Sequence, residues 1–337
     1  MFLRCEVLSI GSNRSIRLCI GPNNWAAIVS KLFDFQQLLI VVSWLILPAG
    51  AKRLLILGLL LCLSGCSSTT FLYNRLDTLI GWYVRDYVPL SRDQRNDFNR
   101  RVEALLDWHR ADELPEYVAW LDEFEESLDD GVSEGELNQL IDQVEAVASR
   151  LQIKVLDLLI DFGATLSYEQ RIEFVLTLQQ DQADLEKKYR DRTELAYYQN
   201  IQKQFQKNLS RFLGALTDAQ KQTIEEGSAE YQRLDFLWLE DRGRWVTKLE
   251  QVLRMNDPDW PNQTRQIYIE RRDNRTSEYE QAFARNTGIS RQIILSVLNQ
   301  RTSKQDRRLR REIERYRTDF EALIESGQPI NREVLGL

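Results

Sequence analysis

The sequence predicts an all-α protein, an extended bundle of long packed helices, and three observations predict it. After residue 66 Leu, Glu, Gln, Arg, Asp and Ala dominate, while Pro and Gly gather between periodic segments. No run alternates apolar and polar residues for long enough to form a strand. One pattern, L-[ST]-x-x-Q-[RK], occurs three times, carried by Leu90, Ser91 and Gln94, by Leu166, Ser167 and Gln170, and by Leu216, Thr217 and Gln220. Its chemistry is that of a helix start. The hydroxyl accepts from an orphan backbone N–H, and the Gln three residues on reaches back to the N–H of the capping residue.

Taken in chain order, residues 71–88 place Leu72, Leu76, Leu79, Trp82 and Tyr83 at helical spacing, and Pro89 stops that helix. The first motif opens the next one. Asp93, and likewise Glu169 and Asp218 in the other two copies, puts negative charge in the first turn, where the helix dipole favours it. Phe98, Phe174 and Ile224 each follow the hydroxyl residue by seven and, with the Leu before it, are expected on the buried side. Residues 116–129 form a helix between Pro115 and Gly131, and 133–162 a long one. Gly163 and Gly214 suit the stops that precede two of the motifs. Residues 168–212 read as a single helix of about 65 Å at about 1.5 Å per residue. Residues 217–255 read as another, with Leu234, Trp238, Trp245, Leu249 and Val252 on one face. The clearest break is Asp257-Pro258-Asp259-Trp260-Pro261, after which helices are expected over 263–285 and 290–326. This divides the chain into a helical domain, 71–256, and a C-terminal helical pair, 262–330.

Upstream, the basic pair Lys52-Arg53, a ten-residue apolar run over 54–63 and the ending Leu63-Ser64-Gly65-Cys66 resemble the processing signal of a bacterial lipoprotein. The run is short for a bilayer span and fits the apolar core of a secretion signal. The resemblance implies cleavage before Cys66 and a diacylglycerol on its thiol, with the lipid bilayer as a partner and 66–70 as a tether. Ser67, where retention at the inner membrane is associated with Asp, implies the periplasmic face of the outer membrane. A second apolar segment at 38–47, separated by Pro48 and Gly50, fits such a signal badly, so translation is expected to begin near residues 40–50. Cys5, Cys19, Cys62 and Cys66 all lie at or before the cleavage point, which leaves one thiol and no disulfide.

The first 65 residues hold six Lys or Arg and two Asp or Glu, so the net charge of −7 becomes −11 from Cys66 onward. An acidic surface argues against a nucleic-acid binder. His109 is the one histidine, on a stripe with Phe98, Val102 and Leu105. It reads either as a buried histidine bonded to a neighbour or, with Glu113, as a metal half-site or general base. A single histidine cannot supply the paired Glu-x-x-His contributions of a di-iron bundle or a usual zinc site. No Gly-x-Ser-x-Gly elbow or Gly-rich phosphate loop occurs. No catalytic residue, metal ligand, non-covalent cofactor or small-molecule substrate is assigned. Asp122, Glu123, Glu125, Glu126, Asp129 and Asp130 crowd one helix. They could furnish a glycosidase-type carboxylate pair, but read first as a solvated face. The segment from Arg301 to Arg317 is Arg-rich and could meet its own acidic helices, an acidic partner or anionic headgroups; pairing with a helix is preferred. Trp82, Trp108, Trp120, Trp238 and Trp245 read as core.

The lipobox followed by Tyr73-Asn74-Arg75-Leu76-Asp77, Trp82-Tyr83-Val84 and Leu90-Ser91-x-x-Gln94 resembles a family of proteobacterial envelope lipoproteins of unknown function. The three motif copies are also similar to the LTxxQ motif of the Spy and CpxP periplasmic proteins, small all-helical ATP-independent chaperones. The first resemblance implies an envelope lipoprotein with no established activity. The absent catalytic set and the surplus of helix surface point to a non-enzymatic factor that binds an envelope protein partner; the alternatives are a Spy-like chaperone, from the motif, and a carboxylate-dependent hydrolase of cell-wall glycan.

Overall fold

A computed structural model describes residues 70, 73–271 and 274–327; Leu63, Ser64, Gly65 and Cys66 lie outside the described residues. The described residues are all-α, without a strand. The helices are α1 (Leu76–Arg85), α2 (Arg92–Trp108), α3 (Leu114–Ser127), α4 (Glu134–Gly163), α5 (Tyr168–Arg190) and α6 (Glu194–Leu213). They continue as α7 (Asp218–Ala229), α8 (Asp235–Met255), α9 (Trp260–Glu270), α10 (Ser277–Asn299) and α11 (Ser303–Gly327). A π-helical turn, His109–Glu113, joins α2 to α3. Pro115 has no N–H to offer Ala111, and the wider turn, in which Leu114 N–H donates to His109 O, absorbs the missing bond.

Four helices expected from periodicity are each cut or shifted, and each break has a polar cause. The span 168–212 divides at Arg192, because Thr193 caps a new helix by accepting from Ala196 N–H at 3.2 Å. The span 217–255 divides at 230–234. There the fully buried Asn286 accepts from Gln232 N–H and donates to Gln232 O, both at 2.8 Å, and so substitutes for the missing helical partners. Residues 263–285 divide where Thr276 caps α10 through Tyr279 N–H, and 290–326 divides at Thr302. Gly214 takes φ +79 and ends α6 as expected. Gly163 does not work that way: it has no positive φ, and a Cβ there would lie 2.9 Å from the Trp260 ring, so its small size admits Trp260.

The largest core joins the ends of α3 and α4 to α6, α7, α10 and α11 through Leu128, Leu137, Phe205, Ile224, Val297 and Ile313. A second, around Val175, Leu178, Leu249 and Trp260, joins α4, α5, α8 and α9. Smaller clusters around Trp238 and Tyr279, and around Phe98 and Phe162, complete the interior. The C-terminal helices α10 and α11 share the largest core with residues before 256. Among the described residues every cluster lies between Ile80 and Ile313, after Cys66. Trp82, expected in the core, is 55% exposed.

Candidate functional site

The three motif copies all form capping boxes, and the structure brings their glutamines together in pairs. Gln94 Nε2 donates to Gln170 Oε1 at 2.9 Å and Gln170 Nε2 donates back to Gln94 Oε1 at 3.0 Å. Each Oε1 also accepts from its own capping residue, Ser91 or Ser167. The second hydrogen of each amide goes to a carbonyl before the partner's cap, Thr165 O for Gln94 and Pro89 O for Gln170. The amide needs two donors and a double acceptor, which Gln has and Glu lacks. Arg95 and Arg171 close the motif by donating to the carbonyls of Leu90 and Leu166. Both leucines pack on the Phe98–Phe162 cluster, as expected.

The third copy pairs with a fourth that sequence reading missed. Gln220 and Gln305 exchange hydrogen bonds at 3.1 and 2.8 Å, each accepts from its capping residue, Thr217 or Thr302, and each donates to a backbone carbonyl, Val297 O or Ala215 O. Both glutamines are buried, Gln220 completely. The fourth copy reads Arg301-Thr302-x-x-Gln305-Asp306: Arg takes the Leu position and Asp the Arg position. The closing bond survives with its polarity reversed, Arg301 Nε donating to Asp306 at 2.7 Å. The bare spacing T-x-x-Q was the available signal.

The second concentration of polar groups surrounds the π turn. Tyr73 Oη donates to Leu106 O at 3.2 Å and lies 2.8 Å from His109 Nδ1, while Tyr117 Oη lies 3.1 Å from Nε2. Every group is satisfied if Nδ1–H donates to Tyr73 and Nε2 accepts from Tyr117. Burial holds His109 down at about 4, so the imidazole is neutral at pH 7, and burial raises both phenols well above their ordinary range. Glu113, only 2% exposed, is gripped by Arg150 through two bonds of 2.9 and 2.6 Å, and Arg150 also holds Glu116. The expected partner of His109 is thus committed to a guanidinium. Among the described residues no three His, Cys, Asp or Glu side chains are grouped to hold a metal ion.

This histidine gives stability a pH dependence. Between about 6.5 and about 4 the unfolded chain takes the proton and the folded chain does not. Stability is complete above that window and falls as pH drops through it, by about 3 kcal/mol at full extent. Urea midpoints measured from neutral to acid pH should fall more steeply for the parent chain than for His109→Asn; equal slopes would contradict the assignment.

The acidic run of α3 faces α11. Arg317 holds Asp122 at 2.7 Å and Glu125 at 2.6 Å, and Arg310 holds Asp129 at 2.7 Å. Pairing with the chain's own helix accounts for this face of the Arg-rich segment.

A family model, described as a family of unknown function (DUF6279), matches residues 86–280, more than half of the chain and three of the four glutamine capping boxes. No curated protein and no solved structure matches.

Proposed function

This chain belongs to DUF6279, a family of unknown function, and from that premise we propose that it is a lipid-anchored envelope protein that binds protein partners along its helix faces without catalysing a reaction. Cys66 carries the anchor in this reading, and Ser67 directs it to the periplasmic face of the outer membrane. The observation that carries the non-catalytic part is where the reactive groups are spent. His109 is bonded to two tyrosines, Glu113 to Arg150, and half of the α3 carboxylates to α11. The binding part is supported by large apolar side chains on outward helix faces, among them Ile153, Leu195, Met255 and Ile269, each more than half exposed.

Two measurements test it. Cys66→Ala is expected to abolish acyl labelling and to let a high-salt wash release the protein from the membrane; retention through that wash would refute the anchor. The purified protein is expected not to suppress aggregation of unrelated unfolded clients. Suppression at equimolar amounts would replace the dedicated binder with a Spy-like holdase, and turnover of purified cell wall would replace it with the glycan hydrolase.

A further inference from the structure

The Arg-rich helix α11 has two basic faces, and α3 neutralises only one of them. Arg310 and Arg317 point to the α3 carboxylates. Lys304, Arg308, Arg311 and Arg315 lie on the opposite flank, spread over about 17 Å of helix. That flank meets α6. Arg308 Nη2 donates to Arg211 O at 3.3 Å, Arg211 donates to Tyr316 Oη, and the guanidiniums of Arg211 and Arg315 lie 5.8 and 5.0 Å from the Tyr316 ring centroid. Lys203 and Lys207 precede Arg211 by two helical turns and one, and so extend the same stripe on α6. The stripes on α6 and α11 together carry seven cations, of which Lys207 and Arg315 are engaged within the protein. The carboxylates on this flank are Glu312, held by Arg315, and the buried Asp319. Phe212, 36% exposed, packs beside Tyr316 at the edge of the seam.

We infer that the α6–α11 seam is a docking face for anionic lipid headgroups. The charges run in parallel lines along two helices and do not converge on a point, which suits a plane of phosphates better than one small anion. An exposed aromatic at the edge suits the headgroup boundary. The net charge of −11 from Cys66 onward disfavours an anionic bilayer elsewhere on the body, so this face sets the orientation in which it approaches. A polybasic patch supplies about 1 kcal/mol per Lys or Arg near such a surface. The inference goes beyond the proposed anchor and does not require it.

The test uses the chain from Ser67 onward, which contains every hydrophobic cluster of the described residues and lacks Cys66. It is sedimented with vesicles of phosphatidylcholine alone or mixed with phosphatidylglycerol, at low and high salt. Binding is expected only to the mixed vesicles, and is expected to be lost at high salt. The triple variant Lys203→Glu, Lys304→Glu, Arg311→Glu, all exposed positions, should weaken it about a hundredfold with an unchanged thermal melt. No binding to the mixed vesicles, equal binding to both kinds, or indifference to the triple variant would overturn the inference. Binding of polyglutamate without binding of the mixed vesicles would overturn it in favour of an acidic protein partner.

Discussion

Gln220→Glu is expected to destabilise the protein by about 3–5 kcal/mol, although Glu and Gln serve equally well at this position of an ordinary capping box. The substitution keeps size, shape and the bond from Thr217 N–H. It removes the two hydrogens that go to Gln305 Oε1 and Val297 O, and it places a carboxylate against those two oxygens in a site with no exposure. Buried acceptors left facing one another cost far more than the neutral pair contributes. The protein holds its own control. Ser133 and Glu136 form a capping box with Glu, exposed and joined to no second box. Glu136→Gln should leave the unfolding free energy from urea denaturation where it is, while Gln220→Glu lowers it by about 3–5 kcal/mol. Equal effects would show that the pairing of boxes adds nothing to the caps themselves.

A loss of similar size, about 3–5 kcal/mol, is expected for Asp235→Ala. Asp235 is fully buried at the start of α8 and answers two guanidiniums: Arg233 at 2.9 and 3.2 Å, and Arg192 at 3.6 Å. Arg233 in turn donates to Arg192 O at the break between α5 and α6. Both guanidiniums lie over the Tyr197 ring, where they are shielded from water. Without the carboxylate they lose the buried counter-charge that both of them contact at the junction of α5, α6 and α8. By contrast, Asp97→Ala, which removes a surface partner of Arg100 and Arg101, should cost about 0.5 kcal/mol. Chemical denaturation of the two variants side by side reads the difference directly.

The helical class, the three marked helix starts and the inward leucines were legible because they depend on residues within seven positions of each other. The lengths of the helices were not. Local caps, Thr193 and Thr302, mark two of the breaks, but each break is also met by a side chain distant in sequence: Asp235 at 191–193, Asn286 at 230–234 and Gln220 at 300–302. The motif shows the same division. Its caps could be read locally, but why it uses Gln becomes clear only when two copies meet, at separations of 76 and 85 residues. The fourth copy was hidden because Arg301 and Asp306 reverse the polarity of the closing bond. The acidic run on α3 and the Arg-rich run on α11 were both visible, but their pairing needed the fold. That pairing also separates the neutralised face of α11 from the open one.

The claim that this protein acts by holding other proteins at the envelope is tested most directly by crosslinking the tagged chain in living cells and identifying what it carries. One or two recurring envelope proteins are expected, captured through outward helix faces and lost when Ile153, Leu195 or Ile269 is replaced by Asp. Recovery of no protein, or of an unselective spread of secreted proteins indifferent to those substitutions, would contradict it.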